Sequence, residues 1–279
     1  MHAGRRLLLP PYFFLMVFFV LPVTLILIMS LTRERSLWSG VTLSHYARIL
    51  DPLYLGILMR SIMYALVATL FALLLGLPMA YYISFSSSRM KLMLMFLVLV
   101  PFWTNFLVRI FAWLTILGRQ GLLNSLLVWS GLIQEPLQLL HTGGAVILGL
   151  VYGELPFMIL PIVASMDRMN PALLEAATDL GASRSRVFQQ IVLPIAMPGI
   201  LAGIIFVFIP SLGSFVVPDI LGGRDSFMLG NTIRNQFMTV RDWSFGSSLS
   251  MLLMLCVLLG ISSYLRKGKH GATQLGDVL

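Results

Sequence analysis

Six long apolar runs divide this 279-residue sequence and restrict its possible folds more than any other feature. A helix needs about 20 mostly apolar residues to cross the hydrocarbon layer of a bilayer. Lipid offers no hydrogen-bond partner to an open backbone, so such a span has to be helical. We therefore predict an all-α, polytopic membrane protein with six transmembrane helices, at about 11–31, 61–83, 92–117, 145–165, 197–218 and 246–265.

The composition excludes several other classes of protein. Hydrophobic residues make up 58% of the chain and charged residues 11%, and the mean hydropathy is +0.92. A soluble domain of this length would leave large apolar patches in water. The net charge of +8 does not indicate nucleic-acid binding, because the cations are scattered between apolar runs. The four histidines lie too far apart for a metal site, and a single cysteine excludes an intrachain disulfide.

The cations also indicate how the spans are oriented. The first apolar run follows Arg5 and Arg6, but it is too long for a secretory signal peptide and lacks a small-residue cleavage site. We interpret it as a retained first span with a cytoplasmic N-terminus. Six spans then return the C-terminus to the cytoplasm, and all three lysines, Lys91, Lys267 and Lys269, fall on the inner side, where basic residues are retained.

The inner loop between the fourth and fifth runs, 167–194, is unusually long, and its residues predict a helix, a turn and a second helix. Asn170 suits the cap of the first helix, and Pro171 suits its first position, where no N–H is needed. Gly181 stands where a residue with left-handed backbone would end that helix. Ser183 suits the cap of the next helix, which we expect to run toward Pro194.

The first loop helix is predicted to be amphipathic, with an apolar stripe at Leu173, Leu174, Ala177 and Leu180. Such a helix lies on the lipid surface, packs against its own bundle, or inserts into a cytosolic partner. Helices that lie on lipid usually carry Lys or Arg on their polar face, whereas 171–182 contains only two acids. The pattern therefore disfavours the lipid surface and leaves the other two interpretations open.

At this loop the sequence resembles a known family. It matches the EAA loop of ABC-importer permeases. The matching residues are Glu175-Ala176-Ala177, then after three residues Gly181, and after nine more Ile191-Val192-Leu193-Pro194. The resemblance implies a type I ABC-importer permease fold and a coupling helix that docks in a cleft of an ATPase subunit. The residues to which it assigns this coupling role are Glu175, Ala176, Ala177, Asp179, Leu180, Gly181, Ile191, Leu193 and Pro194.

A narrower resemblance points to one subgroup of these permeases. Pro101-Phe102-Trp103-Thr104-Asn105 followed by Arg109, together with 121–124, 215–223 and 241–243, is similar to the permeases that serve spermidine and putrescine, specifically the first permease of the pair. Permeases for iron, phosphonates and opines share several of these features and stay as alternatives.

The family resemblance also implies an assembly. Its members are the permeases of the bacterial inner membrane that work with a dimer of ATPase subunits, a second homologous permease and an extracytoplasmic substrate-binding protein. ATP and Mg would be bound by the ATPase, so no cofactor is expected in this chain. We expect an N-terminal span and outer loop at 1–56, a core permease domain at 57–265 that contains the coupling loop, and a cytoplasmic tail at 266–279.

A polyamine carries several ammonium groups, so its pathway has to offer carboxylates, carbonyls or aromatic faces. Glu154 lies near the middle of the fourth run, between Gly153 and Pro156, where the helix could open; the alternative role is a buried pair with Arg109. Trp103 is a candidate cation–π wall, or else a core aromatic.

A second candidate pair lies at the outer end of the fifth run. Asp219 is a possible gate, with Phe215 four residues earlier on the same helical face. The alternative is an interfacial carboxylate or a partner for Arg234.

Two rival classes are disfavoured by what the sequence lacks. A membrane-embedded hydrolase needs a nucleophile with a base or paired carboxylates, yet no GxSxG is present and no histidine lies in a run. There is no Walker A pattern, so we expect no enzymatic activity in this chain, with ATP hydrolysis in a partner. The sequence contains no channel filter motif and no similarity between 1–140 and 141–279, so it does not favour a channel or a secondary transporter.

Overall fold

A computed structural model of the chain describes residues 9–33, 40–170 and 172–276, and the side chains of 11–33, 40–170 and 172–262. Within these residues six helices are long and apolar enough to cross a bilayer. We number them spans 1 to 6: Pro11–Ser30, Pro52–Ser84, Phe106–Trp129, Gly143–Met166, Arg184–Gly213 and Trp243–Ser262. The predicted all-α fold with six membrane helices is confirmed.

Spans 1, 4 and 6 agree with the predicted runs to within a few residues, whereas span 5 does not. Its helix begins at Arg184 rather than at 197 and ends at Gly213 rather than at 218. A π-helical turn at Phe188–Val192 joins Arg184–Val187 to Leu193–Gly213. Pro194 has no N–H to donate to the preceding turn, and the wider turn before it lets the helix continue.

The third predicted run, 92–117, is not a single helix, so that prediction is wrong. Ser88–Leu99 and Phe106–Leu117 are separate helices, joined by a 3₁₀ turn at Val100–Trp103. Asn105 caps the second helix, because its Oδ1 accepts the N–H of Leu107 at 2.8 Å. Span 3 itself consists of Phe106–Leu117 and a shorter helix, Leu122–Trp129.

Three of the spans have further details. Span 1 includes a π turn at Met16–Val20, span 2 begins nine residues earlier than predicted, and the helix of span 6 continues to Gly276.

The remaining helices are short and lie between the spans. The short elements are Ser44–Ile49, the loop helix Ala172–Asp179, Val216–Leu221, a 3₁₀ turn at Arg224–Ser226, Leu229–Asn235 and a π turn at Gln236–Val240.

The chain divides into two compact units, of which one combines Met1–Leu58 with Leu229–Leu279 and the other is Met59–Met228. In the first unit the Arg48 guanidinium donates to Asp242 at 3.1 Å and lies over the Phe245 ring, 4.1 Å from its centroid. Asp242 also accepts the N–H of Phe245 at 3.1 Å, so it caps span 6. The domain bounds expected at 1–56, 57–265 and 266–279 stay predictions.

In the second unit, span 4 packs along span 5 at very short range. A Cβ at Gly199 would lie 2.7 Å from the Cβ of Ser165 and 2.8 Å from the Cα of Ile162. The Ser165 hydroxyl also donates to the Ile195 carbonyl at 2.8 Å. Small residues at such a crossing let two backbones meet, which is how helices associate tightly in lipid. The buried side chains around it are Ala72, Ala80, Ile83, Met158, Ile159, Ile162, Val163, Met166, Val192, Ala196, Ile200 and Val207.

Gly199→Ala should destabilise the folded chain, because the new methyl group meets backbone atoms that cannot rotate away. Overpacking of this kind costs about 1–3 kcal/mol, so the thermal unfolding midpoint in detergent should fall by several degrees. Gly260→Ala is the matched control, since a Cβ there meets nothing within 4 Å. Equal midpoints for the two variants would show that the crossing is not as tight as described.

Candidate functional site

The loop after span 4 forms the predicted helix, turn and second helix. Asn170 Oδ1 accepts the N–H of Ala172 at 3.1 Å and starts the loop helix; Pro171 lies outside the described residues. Gly181 has φ +76°, and the N–H of Ala182 reaches back to the Ala177 carbonyl at 3.0 Å. Ser183 Oγ accepts the N–H of Arg186 at 3.4 Å. The predicted local structure is thereby confirmed, except that the second helix continues into span 5.

The apolar stripe of the loop helix is divided between two directions. Leu174 is partly buried and packs against the core of its own unit, with Ala177 beside it. Leu173 is 50% exposed and Leu180 is 88% exposed. The loop helix therefore uses one face to attach to its bundle and presents two leucines outward. Of the other residues assigned to coupling, Glu175, Ala176, Asp179, Gly181 and Pro194 are exposed, and Ile191 and Leu193 are partly buried in the helix of span 5.

An ion pair ties the start of this loop to the helix Ser88–Leu99. Lys91 Nζ contacts Asp167 Oδ1, and Asp167 is the residue at which the helix of span 4 ends. The two side chains are 28% and 38% exposed, and a pair as exposed as this contributes at most about 1 kcal/mol. Its effect is to place the loop relative to Ser88–Leu99, rather than to stabilise the fold.

A second group of candidate side chains surrounds the break before span 3. The Arg109 guanidinium lies over the Phe102 ring, with Cζ 4.2 Å from its centroid, and Phe106 and Tyr152 lie at 5.7 and 6.0 Å. Glu154, on span 4, lies within electrostatic range of Arg109. The 3₁₀ turn at Val100–Trp103 holds Phe102, so the break brings that ring to the cation.

The Arg109–Glu154 pair is not a direct ion pair. Both residues are partly buried and belong to the described part of the chain, yet no ion pair joins them there, and Arg109 Nε and Nη1 are buried without a hydrogen-bond acceptor. Each buried, unpaired N–H costs about 1–3 kcal/mol, whereas a desolvated cation–π contact returns roughly 2 kcal/mol. The rings therefore offset only part of the cost of holding the guanidinium here.

The helix around Glu154 is continuous, so the expectation that Gly153 and Pro156 open it is wrong.

Further aromatic rings pack around this site. Phe157 meets Phe102 edge-on at 6.0 Å, and Trp113 meets Tyr152 edge-on at 5.6 Å.

The other predicted site residues lie elsewhere. Trp103 is 77% exposed and contacts Phe96 edge-on at 5.7 Å, so it is not a core aromatic of this chain and does not face Arg109. Phe215 and Asp219 are exposed and stay one helical turn apart, because the Asp219 N–H donates to the Phe215 carbonyl at 3.1 Å. Arg234 is exposed on Leu229–Asn235, in the other unit.

Sequence reasoning missed three rings of this site, those of Phe102, Phe106 and Tyr152. A local signal was present for the first of them. Pro101 and Asn105 interrupt an apolar run with a helix-breaking residue and a capping residue. A helix break at these residues implies that the side chains of Phe102 and Trp103 point in directions that one continuous helix would not give them. No local signal identifies Tyr152, because its approach to Arg109 depends on how two spans pack.

Comparison with known proteins gives matches over most of the chain. A family model described as "Binding-protein-dependent transport system inner membrane component" matches residues 72–267. The spermidine/putrescine transport system permease protein PotB of Escherichia coli K12 is 43% identical over 82% of this chain and 83% of its own length. PotB of Salmonella typhimurium LT2 is 42% identical over 85% and 83%, and that of Haemophilus influenzae is 41% identical over 91% and 90%.

Solved structures show the same fold at lower sequence identity. A chain of a bacterial alginate ABC transporter, in complex with an alginate pentasaccharide-bound periplasmic protein, superposes with a TM-score of 0.79 at 17% identity. The alignment covers 93% of this chain and 91% of that one. The family model covers more than half of the sequence, and six apolar helices make the chain a multi-pass membrane protein. The chain therefore belongs to the family of binding-protein-dependent transport system inner membrane components.

Proposed function

We propose that this chain is a transmembrane permease subunit of an ATP-driven importer for polyamines such as spermidine and putrescine, and that it forms half of the translocation pathway. The observation that carries the proposal is the 41–43% identity to PotB proteins over most of the chain. Aromatic faces and a carboxylate around Arg109 support it, since these groups replace the hydration of an organic cation. They suit an ammonium cargo better than an anionic phosphonate, which is one of the alternatives beside iron and opines.

The partners of this permease follow from the same proposal. An ATPase dimer would bind ATP and Mg and receive the loop helix, a second homologous permease would complete the pathway, and an extracytoplasmic binding protein would deliver the cargo. Both termini would then be cytoplasmic, in a bacterial inner membrane. The outward direction of Leu173 and Leu180 supports docking of a cytosolic partner, while Leu174 keeps the helix attached to its own bundle.

We assign the substrate pathway to two groups of residues. Glu154 would meet the cargo inside the membrane, beside the rings that surround Arg109. The second group is Asp219 with Phe215, together with Arg234 and Trp103 as exposed neighbours of the pathway. These residues would act where the cargo enters or where the two permeases meet.

Spermidine uptake into proteoliposomes should require ATP and the co-purified ATPase. Removing the catalytic carboxylate of that ATPase should abolish uptake, because the permease has no energy source of its own. An ATP-independent channel or a secondary transporter would keep transporting, and that result would overturn the proposal. A binding protein that delivers cargo to this permease, tested for polyamine affinity, decides the cargo.

Leu180→Asp should weaken association with the ATPase. Burying one leucine contributes about 2 kcal/mol, so its loss should lower the affinity roughly thirtyfold, as measured by co-purification at graded dilution. Leu132→Asp is the matched control, because that leucine is 75% exposed in a loop expected on the opposite side of the membrane. Wild-type association of the Leu180 variant would exclude this face as the docking surface.

Glu154→Gln should reduce the kcat/KM of polyamine uptake about tenfold, which corresponds to about 1.4 kcal/mol. The variant keeps the shape of the side chain and removes the charge that attracts an ammonium group. Glu135→Gln, an exposed acid between spans 3 and 4, should leave uptake unchanged. If both variants transport equally well, Glu154 does not contact the cargo.

A further inference from the structure

The position of Arg109 is unusual for a structural arginine. A guanidinium that stabilises a membrane fold normally donates bidentate hydrogen bonds to a carboxylate or carbonyl group. Here Nε and Nη1 are buried and find no acceptor in the described part of the chain. The group is held instead by the face of Phe102 at 4.2 Å and by the more distant rings of Phe106 and Tyr152.

These surroundings have the chemistry of a binding site for an organic cation. Aromatic faces attract guanidinium and alkylammonium groups alike, because both interact with the quadrupole of the ring. Glu154 brings a carboxyl group within electrostatic range of the guanidinium, and no ion pair joins the two among the described residues. The same rings and the same carboxylate would therefore accept a free ammonium group if the guanidinium moved away.

We propose that Arg109 is a tethered cation that occupies an organic-cation site formed by Phe102, Phe106, Tyr152 and Glu154, and that a passing ammonium group displaces it. The identity of the cargo as a polyamine rests on the function proposed above. The break at Val100–Trp103 supports displacement, because Phe102 lies on a short turn between two helices rather than inside one. Between transport cycles, the resident charge keeps small cations out of this site.

Removing the Arg109 guanidinium should leave the site free for a soluble cation. Arg109→Met keeps the length of the side chain without its charge, and Arg109→Gln is a second variant of similar size. Arg109→Lys retains a tethered cation and should behave like the wild type. The exposed Arg119→Gln is the matched control for loss of one arginine.

Binding of methylguanidinium and of spermidine should be measured by calorimetry on the purified complex of permeases and ATPase without the binding protein. We expect the Arg109→Met and Arg109→Gln complexes to bind both probes at least tenfold more tightly than the wild type. In these variants the probes should compete with each other, and Phe102→Leu in the same background should remove the gain.

Unchanged affinity in assembled Arg109→Met and Arg109→Gln complexes would overturn the proposal. Failure of both variants to assemble would also overturn it, because the guanidinium would then be an anchor of the fold. Spermidine uptake by the wild-type complex tests the polyamine function separately. If that uptake fails, the methylguanidinium measurement still decides whether Arg109 occupies a cation site.

Discussion

Hydrocarbon supplies no hydrogen-bond partner for a peptide group, and the arrangement of this bundle follows from that constraint. Where the third apolar run leaves helical geometry, nearby polar side chains take over the lost pairing. The Thr104 hydroxyl donates to the Pro101 carbonyl at 2.6 Å, and Asn105 caps the helix that follows. These bonds satisfy the break locally, and the break brings the Phe102 ring to the buried Arg109 guanidinium, past which a straight helix would carry it.

The loop after span 4 was predictable from sequence because its structure is decided locally. A capping Asn, a Gly with left-handed backbone and a capping Ser act within a few residues of where they stand, so their spacing alone predicts the turn. The direction of each leucine was not predictable in the same way. Leu174 and Leu180 share the predicted stripe, but only contact with neighbouring helices decides that one is partly buried and the other is 88% exposed.

The errors have physical causes that can be named. The start of span 5 was placed too late because Arg184 and Arg186 lie in the helix and Pro194 looks like a stop, whereas the π turn accommodates the proline. Trp103 is predicted as a cation–π wall because the run reads as one helix, whereas the turn at Val100–Trp103 leaves that ring exposed and brings Phe102 to Arg109. The sequence offers a buried pair of Glu154 with Arg109 as one alternative, but a direct ion pair needs side-chain geometry that spacing along two helices does not determine.

Span 5 and its close crossing with span 4 have a mechanical consequence. Its helix is continuous from the loop to its last residue, Gly213, and the contact at Gly199 lies near its midpoint. With a rise of 1.5 Å per residue, about 20 Å of helix extends on either side of that contact. Span 4 holds this helix at more than one point, because Ser165 bonds the Ile195 carbonyl and Met158 lies against Gly203. A displacement of the end next to the loop would therefore move span 4 together with span 5.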